Sequence, residues 1–253
     1  MADRISYPPG TPCWVDVLCA DAETGRAFYR DLFGWNPQLS PFAEAGGNTL
    51  FHLDGVVVAG LGPNPGGGLP DAWVTYTSVT DAAASLACIA ATGGTVLMGA
   101  TTVFDQGTMG VFTDPSGIVG AVWQPDAHIG SQRVNQPGAF VWSELSTPDV
   151  AGATAFYGEV FGWEPSAAAA DGAVLFSVDG RVVCGAHETA LSEFAAWAVW
   201  FGVDDCDAVA ARAETLGGMT VLPPMPMGFG RGALLAAPGG AVFGIGAVDN
   251  PAG

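Results

Sequence analysis

The chain has 253 residues and a formal net charge of −18 at pH 7, from 25 acidic residues, seven arginines and no lysine. This charge disfavours nucleic acid and anionic lipid as partners, and the missing lysine excludes lysine Schiff-base chemistry, a Walker-type phosphate loop and a Ser-Lys hydrolase. Charged residues make up only 13% and hydrophobic residues 49%, which excludes a disordered chain.

The first predicted elements are a strand over residues 13–19 and the helix that follows it. Trp14 and Asp16 alternate with valines, so the strand has two different faces. Asp21 stands at the N-cap position of the helix, and Gly34 ends it. Between them, aromatic residues spaced i, i+4 predict a stripe packed against a sheet.

The rest of the first half is predicted to contain short strands and one more helix, with Asp54-Gly55 as a two-residue hairpin turn. A second helix is predicted over residues 82–92, ended by Gly93-Gly94. Further strands are predicted at 36–40, 48–53, 56–61, 73–79, 95–99, 107–113 and 118–123. This order gives two βαβββ units in the half.

The chain then repeats itself. Residues 13–35 return without a gap as residues 141–163, and similar echoes continue to the end of the chain. The identical pairs are Trp14/Trp142, Asp21/Asp149, Ala27/Ala155, Phe28/Phe156, Tyr29/Tyr157, Phe33/Phe161, Gly34/Gly162 and Trp35/Trp163. We therefore expect a first domain over residues 1–123, a polar linker over 124–138 and a second domain over 139–253.

The five cysteines are scattered and form no CxxC pair, which favours buried thiols in a reducing compartment over a disulfide framework. The first twelve residues lack the apolar run of a secretory signal. Both observations favour a cytoplasmic location.

The strand with its N-cap Asp, the FYxxxFGW helix end and the later Asp-Pro-x-Gly hairpin turn, in paired βαβββ units, resemble the glyoxalase/bleomycin resistance/dioxygenase (vicinal oxygen chelate) superfamily. The two copies and the HIG segment of the linker are similar to its tandem CFP-30B-like group, also called hydroxylases. The resemblance implies an α+β fold: a tandem duplication of glyoxalase-like domains, with four βαβββ units, strongly curved mixed sheets and outer helices.

Metal-dependent members of that superfamily hold their metal through His and Glu side chains at three strand positions. Counting from the N-cap and turn residues places these positions at Trp14, Val74 and Ala121 in the first half, and at Trp142, Ala198 and Gly244 in the second. None of these side chains binds a divalent metal. We therefore expect no metal and no cofactor.

The same strand face carries one acidic residue in each half, Asp16 and Glu144. Each is expected to be a lone carboxylate without a His partner. Of the three histidines, His52 is predicted on a strand facing the cavity, either as a structural residue or as an acid/base group. His128 is predicted to pack in the linker, and His187 to begin a solvated polar loop.

The resemblance implies a concave cavity with aromatic walls, which suits a flat, apolar small molecule. The catalytic candidates are Asp16, Glu144 and His52, and the ligand-binding candidates are Trp14, Tyr76, Trp123, Trp142, Trp200, Met225, Met227 and Phe229. Alternatively, Trp14 and Trp142 fill the space that a metal takes in other members. The stretch 223–229 is either an adaptable lid over the second cavity or ordinary core and loop filler.

The leading functional hypothesis is a metal-independent protein that binds a hydrophobic or aromatic metabolite, with carboxylate general acid/base catalysis in a hydroxylase-, isomerase- or cyclase-like role. Whether it is an enzyme stays open. The alternatives are a non-catalytic protein that sequesters or senses a drug or metabolite, and a metal-dependent lyase or dioxygenase with displaced ligands. Because four units already supply two paired sheets, we expect a monomer or weak homodimer.

Overall fold

The computed structural model describes residues 3–40, 47–64, 66, 70–167, 172–190, 195–228 and 230–247. The elements of the first half are β1 (Pro12–Cys19), α1 (Ala22–Phe33), β2 (Asn36–Leu39), β3 (Thr49–Leu53), β4 (Val56–Pro63), β5 (Ala72–Ser78), α2 (Ala82–Ala91), β6 (Thr95–Val103), β7 (Gly107–Thr113) and β8 (Val119–Pro125). Those of the second half are β9 (Phe140–Thr147), α3 (Val150–Phe161), β10 (Glu164–Pro165), β11 (Val174–Val178), β12 (Arg181–Glu188), β13 (Ala196–Val203), α4 (Cys206–Thr215), β14 (Met219–Met227), β15 (Gly230–Ala236) and β16 (Val242–Ala247).

Each half forms one mixed eight-stranded sheet, which confirms the predicted α+β tandem duplication of βαβββ units. The strand orders are β2-β3-β4-β1-β5-β8-β7-β6 and β10-β11-β12-β9-β13-β16-β15-β14. The two units of a half join where β1 runs antiparallel to β5, and where β9 runs antiparallel to β13. The units therefore pair within each half, a choice that the sequence left open.

The repeated helix ends have the predicted local chemistry. The Asp21 carboxylate accepts hydrogen bonds from two backbone N–H groups of the first turn of α1, and Asp149 caps α3 in the same way with one. Gly34 and Gly162 adopt φ values of 73° and 70°, in the left-handed region that favours glycine. The FGW motif is thus a helix stop followed by a tryptophan that is turned back into the core.

The hydrophobic cores are shared between the halves. One core contains residues of α1 and its neighbouring strands together with residues of α4 and strands of the second half. Another core contains residues of α2 and its neighbouring strands together with residues of α3 and its strands. The motif tryptophans cross between halves in the same way. Trp35 Nε1 donates to the carbonyl of Gly138, 2.7 Å away, and Trp163 Nε1 donates to the carbonyl of Gly10, 2.6 Å away.

The described part of the stretch 223–229 is mostly strand rather than loop. Most of it belongs to β14, which runs antiparallel to β15 at the edge of the second sheet, with Met225 opposite Gly232. Three prolines in this strand cannot donate to a ladder, and an edge position tolerates them. Phe229 lies outside the described residues. In the part of the chain that the structure describes, no helix is long and apolar enough to cross a membrane.

Candidate functional site

One face of each sheet packs on helices, and the other is lined by the predicted site residues. We call the latter the first and the second helix-free face. In the first half, five of these residues form one cluster and are between 1% and 8% exposed. They are Trp14, Val74, Tyr76, Ala121 and Trp123. The structure thus brings the predicted aromatic wall together, in closely packed form.

The linker closes the first helix-free face. His128 packs edge-on against Trp14, with ring centroids 4.5 Å apart, and its carbonyl accepts a hydrogen bond of 2.8 Å from Trp123 Nε1. Burial lowers the pKa of His128 to about 4. Its side chain is therefore neutral at physiological pH and acts as packing, as the sequence predicted for this residue.

Asp16 lies on the same face with one of its two carboxylate oxygens satisfied. Oδ2 accepts a hydrogen bond of 3.1 Å from the Tyr76 hydroxyl, whereas Oδ1 is buried and has no partner among the described residues. Burial raises the pKa of Asp16 to about 7, and the Tyr76 bond opposes that rise. The group is poorly placed to carry charge.

His52 does not join Asp16. It lies on β3 opposite Val57, two strands away from β1, and its Nδ1 is buried without a partner in the described ranges. None of the hydrogen bonds described for this chain links His52 to Asp16. The first half therefore does not assemble a His–carboxylate pair from these two candidates.

The residues at the family's metal positions do not fit a metal. Across the central strands, Trp14 lies opposite Tyr76, which lies next to Ala121, and Trp142 lies opposite Trp200, which lies next to Gly244. The six metal positions carry Trp14, Val74, Ala121, Trp142, Ala198 and Gly244, none of which offers a donor atom to a divalent metal. Within the described parts of the chain, no group of three His, Cys, Asp or Glu side chains is arranged to hold a metal ion.

The second helix-free face holds a polar relay. Glu144 accepts hydrogen bonds from Trp142 Nε1 at 2.5 Å and from His187 Nδ1 at 3.3 Å, while His187 Nε2 lies 2.9 Å from Ser146 Oγ. The Glu144 side chain is 20% exposed and that of His187 is 45% exposed, so solvent reaches the group. Two predictions were wrong here, because Glu144 is not a lone carboxylate and His187 is not in a loop.

Strand register explains the relay. His187 lies directly opposite Ser146 where β12 runs parallel to β9, and Glu144 lies opposite Gly185. A Cβ at position 185 would stand 2.6 Å from Glu144 Oε2, so only glycine leaves the carboxylate its place. The strand predicted over 56–61 has an equivalent in the second repeat that would end before His187. The observed strand, β12, continues to Glu188. A prediction with the full length of β12 would have placed His187 beside Ser146.

The other candidates of the second half lie on the same face. The Trp200 indole is 8% exposed and covers Gly244, where a Cβ would overlap the ring. Met225 is 43% exposed and Met227 is half-buried. The pair Met109–Trp123 of the first sheet corresponds to Gly232–Gly246 in the second. The two helix-free faces therefore differ in the size and the polarity of their side chains.

Comparison with known proteins gives concordant matches. The sequence model of the Glyoxalase/Bleomycin resistance protein/Dioxygenase superfamily matches residues 13–120 and 139–245. A Mycobacterium tuberculosis protein named "Putative glyoxylase CFP32" is 38% identical over 97% of both chains. The anthracycline biosynthesis protein DnrV of Streptomyces peucetius is 33% identical over 94% of both chains.

Solved structures agree on the fold. The Mn(II)-bound glyoxalase from Novosphingobium aromaticivorans has a TM-score of 0.67 at 18% identity, and the match covers 96% of this chain and 86% of that one. The 2,3-dioxygenase LapB from Pseudomonas sp. KL28 has a TM-score of 0.65 at 15% identity, with coverage of 93% and 91%. At these identities the likeness concerns the fold alone.

Proposed function

Because the chain belongs to the glyoxalase/bleomycin resistance protein/dioxygenase superfamily, we propose that its second half binds a flat, apolar small molecule on the second helix-free face. The observation that carries the proposal is the half-buried Trp142 indole bonded to Glu144, with His187 beside it. An aromatic wall with a few convergent polar groups is typical of small-molecule sites. The relative DnrV, named for anthracycline biosynthesis, supports a polycyclic aromatic ligand.

The second face suits this function better than the first. On the first face Trp14 and Trp123 are 6% and 5% exposed and are packed against His128, so a ligand would have to displace the protein's own side chains. On the second face Trp142 is half-buried and Met225 is 43% exposed. Flexible methionine side chains adapt to ligands of different outline.

The chemistry proposed for this site is acid/base catalysis without a metal. The Glu144 carboxylate orients the imidazole of His187 through Nδ1, and Nε2, which lies 2.9 Å from Ser146 Oγ, is the atom that accepts a proton from the ligand, directly or through that hydroxyl, and returns it to another ligand atom. Such a transfer is balanced in protons and suits an isomerisation or a cyclisation.

Binding is tested with purified protein and a set of polycyclic aromatic compounds that includes an anthracycline, followed by equilibrium dialysis. Replacing Trp142 with Leu removes the aromatic surface, worth about 0.5–1.5 kcal/mol beyond buried area, so the dissociation constant is expected to rise about two- to tenfold. Glu159→Gln on the exposed side of α3 is the control and leaves binding unchanged. Equal binding by the Trp142→Leu and unmodified proteins would contradict the proposal.

Turnover is followed separately by mass spectrometry of the same compounds after incubation. Glu144→Gln is expected to keep most of the binding and to lose conversion, because the amide orients His187 poorly. If the unmodified protein binds but converts nothing, a sequestering or regulatory protein is the better description. Asp16→Asn is the corresponding variant of the first half. A loss of binding in this variant alone would place the ligand on the first helix-free face.

A further inference from the structure

The three polar side chains of the second helix-free face stand in the order of a nucleophile, a base and an orienting acid. Ser146 Oγ lies 2.9 Å from His187 Nε2, and His187 Nδ1 lies 3.3 Å from Glu144 Oε1. In serine hydrolases the hydroxyl likewise meets Nε2 and the acid meets Nδ1. We propose that Ser146 is a nucleophile that cleaves activated carboxylic esters, with His187 as its general base and Glu144 as the group that positions His187.

The hydrogen bonds select the required tautomer. Glu144 has no proton to give when ionised, so the proton between it and His187 belongs to Nδ1 of the imidazole. Nε2 then carries a lone pair, and the hydrogen bond with Ser146 is donated by the hydroxyl. This is the arrangement in which a neutral imidazole can take the proton of a serine as the serine attacks.

The scaffold holds the three groups rigidly. Ser146 and Glu144 are two residues apart on β9 and therefore share a face, and His187 is fixed opposite Ser146 by the parallel ladder with β12. The second Glu144 oxygen is held by Trp142 Nε1. The carboxylate is thus oriented from both sides, while the exposed imidazole leaves the hydroxyl within reach of a substrate.

The first half serves as an internal comparison. The positions equivalent to Ser146 and His187 are Leu18 and Gly62, which face each other across β1 and β4 in the same register. Asp16, equivalent to Glu144, contacts Tyr76 instead of a histidine. The relay is therefore not a requirement of the fold, because the same sheet forms without it.

The proposed reaction is balanced. Ser146 Oγ forms a bond to the ester carbonyl carbon while its proton moves to His187 Nε2, and collapse breaks the bond to the leaving oxygen, which takes that proton. Water then attacks the acyl-serine, releases the carboxylic acid and restores the hydroxyl. Water is the only co-reactant.

The test is covalent labelling with a phosphonofluoridate, followed by intact-protein and peptide mass spectrometry. In this reaction Ser146 Oγ bonds to phosphorus, fluoride leaves, and the proton passes through His187 to solvent. We expect one adduct, on Ser146, that is absent in Ser146→Ala and formed at least tenfold more slowly in His187→Gln. Ser177→Ala is the matched control, because Ser177 lies in the same half but bonds to the Glu164 carbonyl.

Circular dichroism and thermal melting confirm that each variant is folded. A second readout is the release of p-nitrophenol from p-nitrophenyl acetate, with an initial burst of one equivalent per chain that Ser146→Ala abolishes. Absence of both adduct and burst in the folded, unmodified protein would overturn the proposal, as would equal labelling of His187→Gln. The reagents are small, so a failure here leaves the binding proposal, tested with Trp142→Leu, untouched.

Discussion

Replacing Trp163 with alanine is expected to lower the free energy of unfolding by about 3–5 kcal/mol, the usual cost of removing a buried large aromatic side chain. Trp163 is 3% exposed and stacks on Tyr157 and Phe176, with ring centroids 5.0 and 5.3 Å away. The change also leaves the Gly10 carbonyl without its indole donor. Equilibrium urea denaturation measures the effect.

Two further variants separate the causes. Trp163→Phe keeps an aromatic ring and mainly loses the N–H donor, so we expect a smaller loss of about 1–2 kcal/mol. Trp35→Ala is the matched change in the other shared core, where the indole donates to Gly138, and we expect a loss similar to that of Trp163→Ala. A loss below about 1 kcal/mol in both alanine variants would mean that these tryptophans do not fasten the halves together.

The repeat made the local fold predictable. The N-cap aspartates, the left-handed glycines and the alternation of residues 13–19 each depend on backbone geometry that neighbouring residues determine. The shared cores were not predictable from that information. Trp35 contacts the last residue of the linker, more than 100 residues away, and no local pattern specifies which partner fills the space beside an aromatic stripe.

In the candidate site, comparison of the two repeats was less informative than it was for the fold. The family resemblance implied that Trp14, Tyr76 and Trp123 share one face of the sheet, and the structure brings them together there. Ser146 and His187 were missed because their first-half equivalents are Leu18 and Gly62. Comparing the two copies emphasises what they share, whereas the relay lies where the copies differ.

A pH series on the Asp16→Asn variant is expected to show how unlike the two faces are. The pKa of Asp16 is raised from 3.8 to about 7 by burial, so the folded state binds this proton more tightly than the unfolded state. The resulting destabilisation is absent below pH 4, grows as the pH rises to 7 and is complete above it. At about 1.4 kcal/mol per unit it amounts to at most about 4 kcal/mol.

His128 acts in the opposite direction. Its pKa is lowered from 6.5 to about 4, so its destabilisation is absent above pH 6.5 and grows as the pH falls towards 4. The two effects therefore compensate between pH 4 and 6.5 in the unmodified protein. Asp16→Asn uncovers the His128 slope and loses stability as the pH falls, whereas His128→Phe uncovers the Asp16 slope and loses stability as the pH rises.

The measurement is the free energy of unfolding by urea at unit steps from pH 4 to 8. In the difference between a variant and the unmodified protein only the replaced group's effect remains, so this difference is expected to rise with pH for Asp16→Asn and to fall with pH for His128→Phe. Parallel curves for all three proteins would show that neither group is buried in its uncharged form. Opposite slopes would show that the first helix-free face suppresses the charge of both Asp16 and His128. Holding Asp16 and His128 uncharged therefore costs stability at the first helix-free face, which the protein's own side chains close, whereas solvent reaches Glu144 and His187 on the other face.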